Sequence, residues 1–219
     1  MQKDNIDYNT ISVIMITYGH EKFIRQAVEG VLMQKCNFNV ELIIANDASP
    51  DKTSDIVYDI IKTNPNANRI KYINRDKNIG GQNNFKDAFE QCKGKYIAHC
   101  EGDDYWTDPY KLQKQINFLE TNPDYVLTFH KIKILQPNGI LVDDFITKIP
   151  ENYQTIEALA QYGNYIHTPS IVYKNIINEL PFEMMISPIG DYFLYMIIAQ
   201  HGKLKYFEES MAVYRFGVG

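Results

Sequence analysis

The feature that most limits the fold of this chain is a rhythm. Four short apolar runs, ISVIMI (11–16), VELIIA (40–45), IKYIN (70–74) and KYIAHC (95–100), are each followed by a segment with helical spacing. The first run is continuous and β-branched, which suits a strand buried on both faces. After it, Ile24, Ala27, Val28, Val31 and Leu32 recur at i, i+3, i+4, i+7 and i+8, one apolar face of a helix. SPDKTSDIVYDIIKTNP offers Ser49 as N-cap, Pro50 at the first helical position and a stop at Asn64-Pro65. Phe85, Ala88, Phe89 and Cys92 mark a third helix; Leu112, Ile116 and Leu119, after Asp108-Pro109, mark a fourth. This alternation predicts an α/β fold, with residues 10–120 forming a doubly wound unit on a parallel sheet.

Beyond residue 120 the texture changes. YVLTFHKIKIL (125–135), SIVYK (170–174), KLKYF (203–207) and MAVYR (211–215) are strand-like. TIEALAQYG and DYFLYMIIAQHG read as helices closed by Gly163 and Gly202. No Gly/Ser linker or repeat separates the halves, so a single domain of 1–219 is expected, with a nucleotide-type half at 10–120 and a more irregular half at 121–219.

Composition narrows the function. A net charge of −5 and a pI near 5.5 argue against a general nucleic-acid binder. The three cysteines, Cys36, Cys92 and Cys100, have neither CxxC spacing nor an even count, which predicts no zinc site or disulfide framework and fits a reducing cytoplasm. The N-terminus lacks an apolar signal core, and apolar runs of about 6–8 residues fall short of the ~20 that span a bilayer. The chain is expected to be cytoplasmic, peripheral to a membrane at most.

In sheets of this kind ligands gather at the carboxyl ends of the strands. The segments there are Thr17-Tyr18-Gly19-His20, Asn46-Asp47-Ala48-Ser49, Arg75 to Asn84, and Glu101-Gly102-Asp103-Asp104. The last concentrates three carboxylates where folding alone asks for none. In an extended segment Glu101 and Asp103 would share one side and Asp104 the other, while Gly102 would let a phosphate or sugar approach the backbone.

SVIMITYGHEKFIRQAVEGVLMQ, ELIIANDASPDKTSDIV and NIGGQNNFKDAFEQCKGKYIAHCEGDDYW, in that order and spacing, resemble the nucleotide-binding half of family-2 glycosyltransferases of the GT-A fold. GDYFLYMIIAQHGKLKYFEESMAVYR extends the resemblance more weakly to the end. It implies a Rossmann-like, mostly parallel sheet with a mixed acceptor-side half. It also implies transfer of a sugar, with inversion, from a nucleotide-diphosphate donor, a UDP-sugar, to a glycan or lipid-linked acceptor in bacterial surface polysaccharide synthesis.

The same resemblance places Glu101-Gly102-Asp103 at the family's Asp-X-Asp position. Asp103 is then the direct ligand of Mn²⁺ or Mg²⁺ and Glu101 stands in for the first Asp. Hard cations of this kind take carboxylate and phosphate oxygens. Asp47 would accept the N3–H of uracil, flanked by Thr17 and Tyr18, with Asn78, Gly80 and Asn84 near the nucleoside. Asp191, at the mouth of an apolar helix, matches the acceptor-side acid that deprotonates the acceptor hydroxyl. Asp104, Trp106 and His167 are candidates for sugar or acceptor contact. The family commonly has a His shortly after Tyr-Arg near the end; MAVYRFGVG has none, and Arg215 is the positive charge available.

Other classes fit less well. A dinucleotide-dependent oxidoreductase wants GxGxxG after the first strand, where TYGHEK stands. A nucleotidyltransferase wants a Gly-rich basic loop there. A non-catalytic sugar-nucleotide-binding module would keep Asp47 but need no base at Asp191.

Overall fold

A computed structural model describes residues 6–187 and 189–218. One sheet holds nine strands. β1 (Asp7–Thr17), β2 (Asn39–Asn46), β3 (Ile70–Asn74) and β4 (Gly94–His99) run parallel in the order β3-β2-β1-β4. β8 (Val172–Lys174) then pairs antiparallel with β4, and β6 (Tyr125–Leu135) antiparallel with β8. β9 (Lys203–Arg215) lies parallel to β6, and the two-residue β5 (Tyr105–Trp106) closes the edge against it. β7 (Leu141–Asp143) pairs with the far end of β6. The sheet is parallel where the doubly wound half was expected and mixed beyond it, the GT-A arrangement.

Period-2 geometry sends alternate strand residues to opposite faces, and both are covered. Ile11, Val13 and Met15 face one core with α1 (Ile24–Leu32), α2 (Thr53–Thr63) and α4 (Lys111–Thr121). Ile14 faces the other with α3 (Gly81–Glu90), α5 (Ile156–Tyr162), α6 (Phe182–Ile186) and α7 (Gly190–Ala199). The predicted face of α1 is the one it buries: Ile24, Ala27, Val28, Val31 and Leu32 are all inside. Fully burying an aliphatic side chain of this size stabilises by about 1.5–3 kcal/mol, so α1 needs no side-chain cap, and it has none.

Three local expectations are corrected. Ser49 does not cap α2, because its hydroxyl bonds Asn46 Oδ1 and accepts the Gly19 N–H; Ala48, in the left-handed region at φ 57°, turns the chain first. The helix starts later, where Asp51 Oδ1 accepts from Thr53 N at 3.0 Å. KLKYF and MAVYR form one strand, not two: from Phe207 to Ala212 β9 advances five residues while β6 advances two, from His130 to Ile132, so the excess loops out as a bulge. β5, β7 and α6 carry too few residues to announce themselves by periodicity.

Candidate active site

The loops after β1, β2 and β4 meet at the carboxyl edge of the parallel strands. The Gly102 N–H donates to Ile16 O at 3.0 Å, tying the acidic segment to β1. That segment is a turn and not extended, since Asp104 N donates to Glu101 O at 3.1 Å. The expected division of side chains fails for this reason. Carboxylate oxygens of Glu101, Asp103 and Asp104 all lie within 4.8 Å of one another.

Gly102 also has a different reason from the one expected. A Cβ there would lie 2.5 Å from Thr17 Oγ1 and 2.8 Å from His20 Nδ1, so the space is filled by protein and not kept for a ligand. His20 was not singled out by the sequence, yet its Nε2 stands 3.9 Å from Asp103 Oδ2 and its Nδ1 3.1 Å from Thr17 Oγ1. Its only local signal was a place in the loop after β1.

Burial pushes the Glu101 carboxyl up to about 8, with the charges of Asp103 and Asp191 adding to it. Asp103 is raised by burial, which His20 and Arg215 oppose, and Asp104 is raised well above its usual range by burial and its two acidic neighbours. Asp104 Oδ2 is buried without a hydrogen-bond partner. Three crowded carboxylates, oxygen-only donors with an orphan among them, fit a hard divalent cation. Arg215 supplies positive charge from β9: its guanidinium bonds Asp103 O and Gln26 Oε1 and lies between the rings of Phe23 and Tyr105.

Asp47 is 2% exposed and spends both oxygens on the neighbouring loop, accepting from Ile79 N at 2.8 Å and Gly80 N at 2.9 Å. Each oxygen keeps a second lone pair for a base. Asn78 Oδ1 also accepts from Gly80 N, and Gly80 holds φ at 86°. Tyr18 is half-exposed, and Thr17 is buried with its hydroxyl on His20 and its carbonyl accepting the Asp47 N–H. Asn84 is not available to a nucleoside: it is 1% exposed, its amide donates to Ala45 O, and its oxygen accepts from Arg75 Nε.

Trp106 is likewise corrected. Its ring is buried under Lys111 Nζ, 4.2 Å from the centroid, and its Nε1 donates to Pro169 O, so no face is open to a sugar. Asp104, at 1% exposed, accepts the Arg215 N–H and is buried in the turn, so its carboxylate is not open to a sugar.

The second half completes a cavity of about 650 Å³ lined by Glu101, His167, Asp191 and Tyr214, with Gln82, Phe85 and Thr147. Asp191 opens α7. Its Oδ1 accepts from Tyr192 N at 2.7 Å and its Oδ2 from Asn164 Nδ2 at 3.2 Å, with Thr168 Oγ1 at 3.5 Å. Its setting is thus a polar cradle, although Tyr192 and Phe193 follow it directly in the sequence. His167 Nε2 lies 3.0 Å from Asp144 Oδ2, and Asp144 is held by the N–H groups of Ile146 and Thr147. Burial lowers the His167 pKa, against the opposing charge of Asp144. Glu101 and Asp191 therefore face one space from opposite halves of the chain.

The family model described as Glycosyl transferase family 2 matches residues 12–180. An uncharacterised protein of Mycobacterium tuberculosis is 37% identical over 207 residues, 94% of this chain and 58% of its own length, so the chain spans little more than half of such a relative. WfaP of Escherichia coli, a UDP-Glc:α-D-GlcNAc-diphosphoundecaprenol β-1,3-glucosyltransferase, is 28% identical over 192 residues, 88% of this chain and 71% of its own. Among solved structures, S. aureus TarS in complex with UDP superposes with a TM-score of 0.69 at 17% identity, over 94% of this chain and 60% of that one. The mannosyltransferase PcManGT of Pyrobaculum calidifontis, with GDP-Man and Mn²⁺, gives 0.69 at 14% identity, over 96% and 58%.

Proposed function

Because the chain belongs to glycosyl transferase family 2, we propose that it moves a sugar from a UDP-sugar to an acceptor hydroxyl, inverting the anomeric carbon, in the synthesis of a bacterial surface polysaccharide or related glycan. The observation that carries this reading is the shared cavity of Glu101 and Asp191: one acid belongs to the cation turn and the other lies where an acceptor would approach.

Asp191 accepts the proton of the acceptor hydroxyl, and Asn164, Thr168 and the Tyr192 N–H hold its carboxylate in place. The acceptor oxygen bonds to the anomeric carbon from the face opposite the diphosphate. The bond from that carbon to the diphosphate oxygen breaks, and its electron pair leaves with UDP. Asp103 and Glu101 would hold Mn²⁺ or Mg²⁺, which supplies charge neutralisation at the diphosphate. Asp47, beside Tyr18, Asn78 and Gly80, addresses the base. His167 contributes to the acceptor wall.

A lipid-linked acceptor is favoured by exposed Ile189 in the cavity lining and by exposed Phe182 and Ile186 on α6, whose Met184 also lines the cavity, and by the diphosphoundecaprenol acceptor in the name of WfaP. No helix among the described residues is long and apolar enough to cross a membrane. Action on a lipid-linked acceptor would bring this domain to the inner face of the plasma membrane.

Thermal unfolding with UDP, UDP-sugars and GDP, each with and without Mn²⁺, tests the reading. A donor at ~100 times its Kd stabilises by ~2.7 kcal/mol. UDP compounds with Mn²⁺ are expected to stabilise most; equal stabilisation by GDP would remove the uridine assignment. Donor hydrolysis without acceptor separates an enzyme from a binding module.

A further inference from the structure

We propose that His20 is a positioning residue for the cation turn, holding the Asp103 carboxylate through an imidazole that Thr17 orients. The inference rests on the cation reading of Glu101 and Asp103 and adds to it a group from the loop after β1.

Three contacts carry it. His20 Nε2 faces Asp103 Oδ2 at 3.9 Å, and Nδ1 lies 3.1 Å from Thr17 Oγ1. The His20 carbonyl accepts both the Phe23 and Ile24 N–H groups at 2.9 Å, so the start of α1 fixes where the ring can be. Gly102, inside the acidic turn, packs so closely on Thr17 and His20 that any Cβ would collide with both. The turn has therefore been fitted to this Thr–His pair.

The protonation pattern follows from the partners. A neutral imidazole carries one proton. Beside a carboxylate that proton belongs on Nε2, leaving Nδ1 to accept from the Thr17 hydroxyl. At 3.9 Å the Nε2–H is not hydrogen-bonded to Asp103; the proposal requires the carboxylate to turn toward it. Arg215 grips the Asp103 carbonyl from the other side, so the residue is steadied at its backbone by β9 and at its side chain by the β1 loop. Such outer contacts orient ligating carboxylates, and losing one costs about 10–100-fold in metal affinity.

The experiment measures Mn²⁺ binding to the nucleotide-free, metal-stripped chain from the electron paramagnetic resonance signal of free aqueous Mn²⁺. His20→Ala and Thr17→Val are each expected to weaken binding about 10–100-fold. Thr17→Ser keeps the hydroxyl and should keep parental affinity, and His20→Gln, whose amide N–H reaches the Nε2 position, should recover part of it. The double variant His20→Ala/Thr17→Val should bind no worse than His20→Ala alone, because Thr17 acts only through the ring. Parental affinity in His20→Ala, or additive losses in the double variant, overturns the proposal while leaving the cation site standing. Should His20→Ala fail to fold, the contrast between Thr17→Val and Thr17→Ser decides in its place. A parent chain that binds Mn²⁺ only with UDP present moves the same comparison to the UDP-bound chain, and one that binds no Mn²⁺ with or without UDP overturns the cation reading and this inference with it.

Discussion

The backbone N–H of Arg215 donates to Asp104 Oδ1 at 2.9 Å, across 111 residues of chain. This bond makes the last strand part of the acidic turn, because the same arginine's side chain reaches the Asp103 carbonyl. Asp104 therefore acts as a clamp between β9 and the turn.

The clamp predicts a difference between two substitutions. Asp104→Asn keeps an oxygen for the Arg215 N–H, while Asp104→Ala leaves that buried donor unpaired at a cost of about 1–3 kcal/mol. Urea unfolding should find Asp104→Ala less stable than Asp104→Asn by that amount. Equal stabilities would mean that the bond contributes nothing.

Glu101 makes stability depend on pH. Its folded pKa of about 8 lies above the ordinary 4.5, so between those values the native state holds a proton that the unfolded chain has released. Stability from this group is therefore complete below about pH 4.5 and is lost as pH rises through about 8. Other buried groups titrate in the same range, so the parent is best compared with Glu101→Gln in EDTA. The variant should gain on the parent from about pH 5 to about pH 8. A difference that stays flat with pH would show that Glu101 titrates normally.

Asp191→Asn cannot accept the acceptor's proton. Loss of a general base costs ~10²–10⁴-fold in rate, about 3–5 kcal/mol of barrier. Calorimetric affinities for UDP and Mn²⁺ should stay close to parental, since the contacts proposed for them lie in the loops after β1, β2 and β4. Loss of donor binding in the variant would make Asp191 a donor-site residue.

Trp106→Phe tests whether that ring serves the fold alone. The variant loses the bond to Pro169 O and part of the surface packed on Lys111, which should cost about 1–3 kcal/mol. The Michaelis constant for the donor should not change. A raised constant in a chain of parental stability would return Trp106 to the sugar site.

Signals that repeat within about ten residues were readable in the sequence. The β-branched run 11–16, the apolar face of α1 and the alternation through residue 120 determined a parallel sheet with loops at its carboxyl edge, while the order β3-β2-β1-β4 was decided by packing. Asp47, Glu101 and Asp103 could be marked as candidates because they lie in the segments that follow β2 and β4. Decisions made by partners far along the chain were not readable. Asn84 lost its place at the nucleoside to Ala45 O, and Trp106 was drawn inside by Pro169 O. Residues 101–104 closed into a turn that Gly102 presses against Thr17 and His20. Asp191 found Asn164 and Thr168 where its neighbours in sequence are aromatic. The physical reason is common to all of these: periodicity states which side of a strand or helix is buried, but a buried polar group must find a partner, and only the packed tertiary structure determines which partner is within reach.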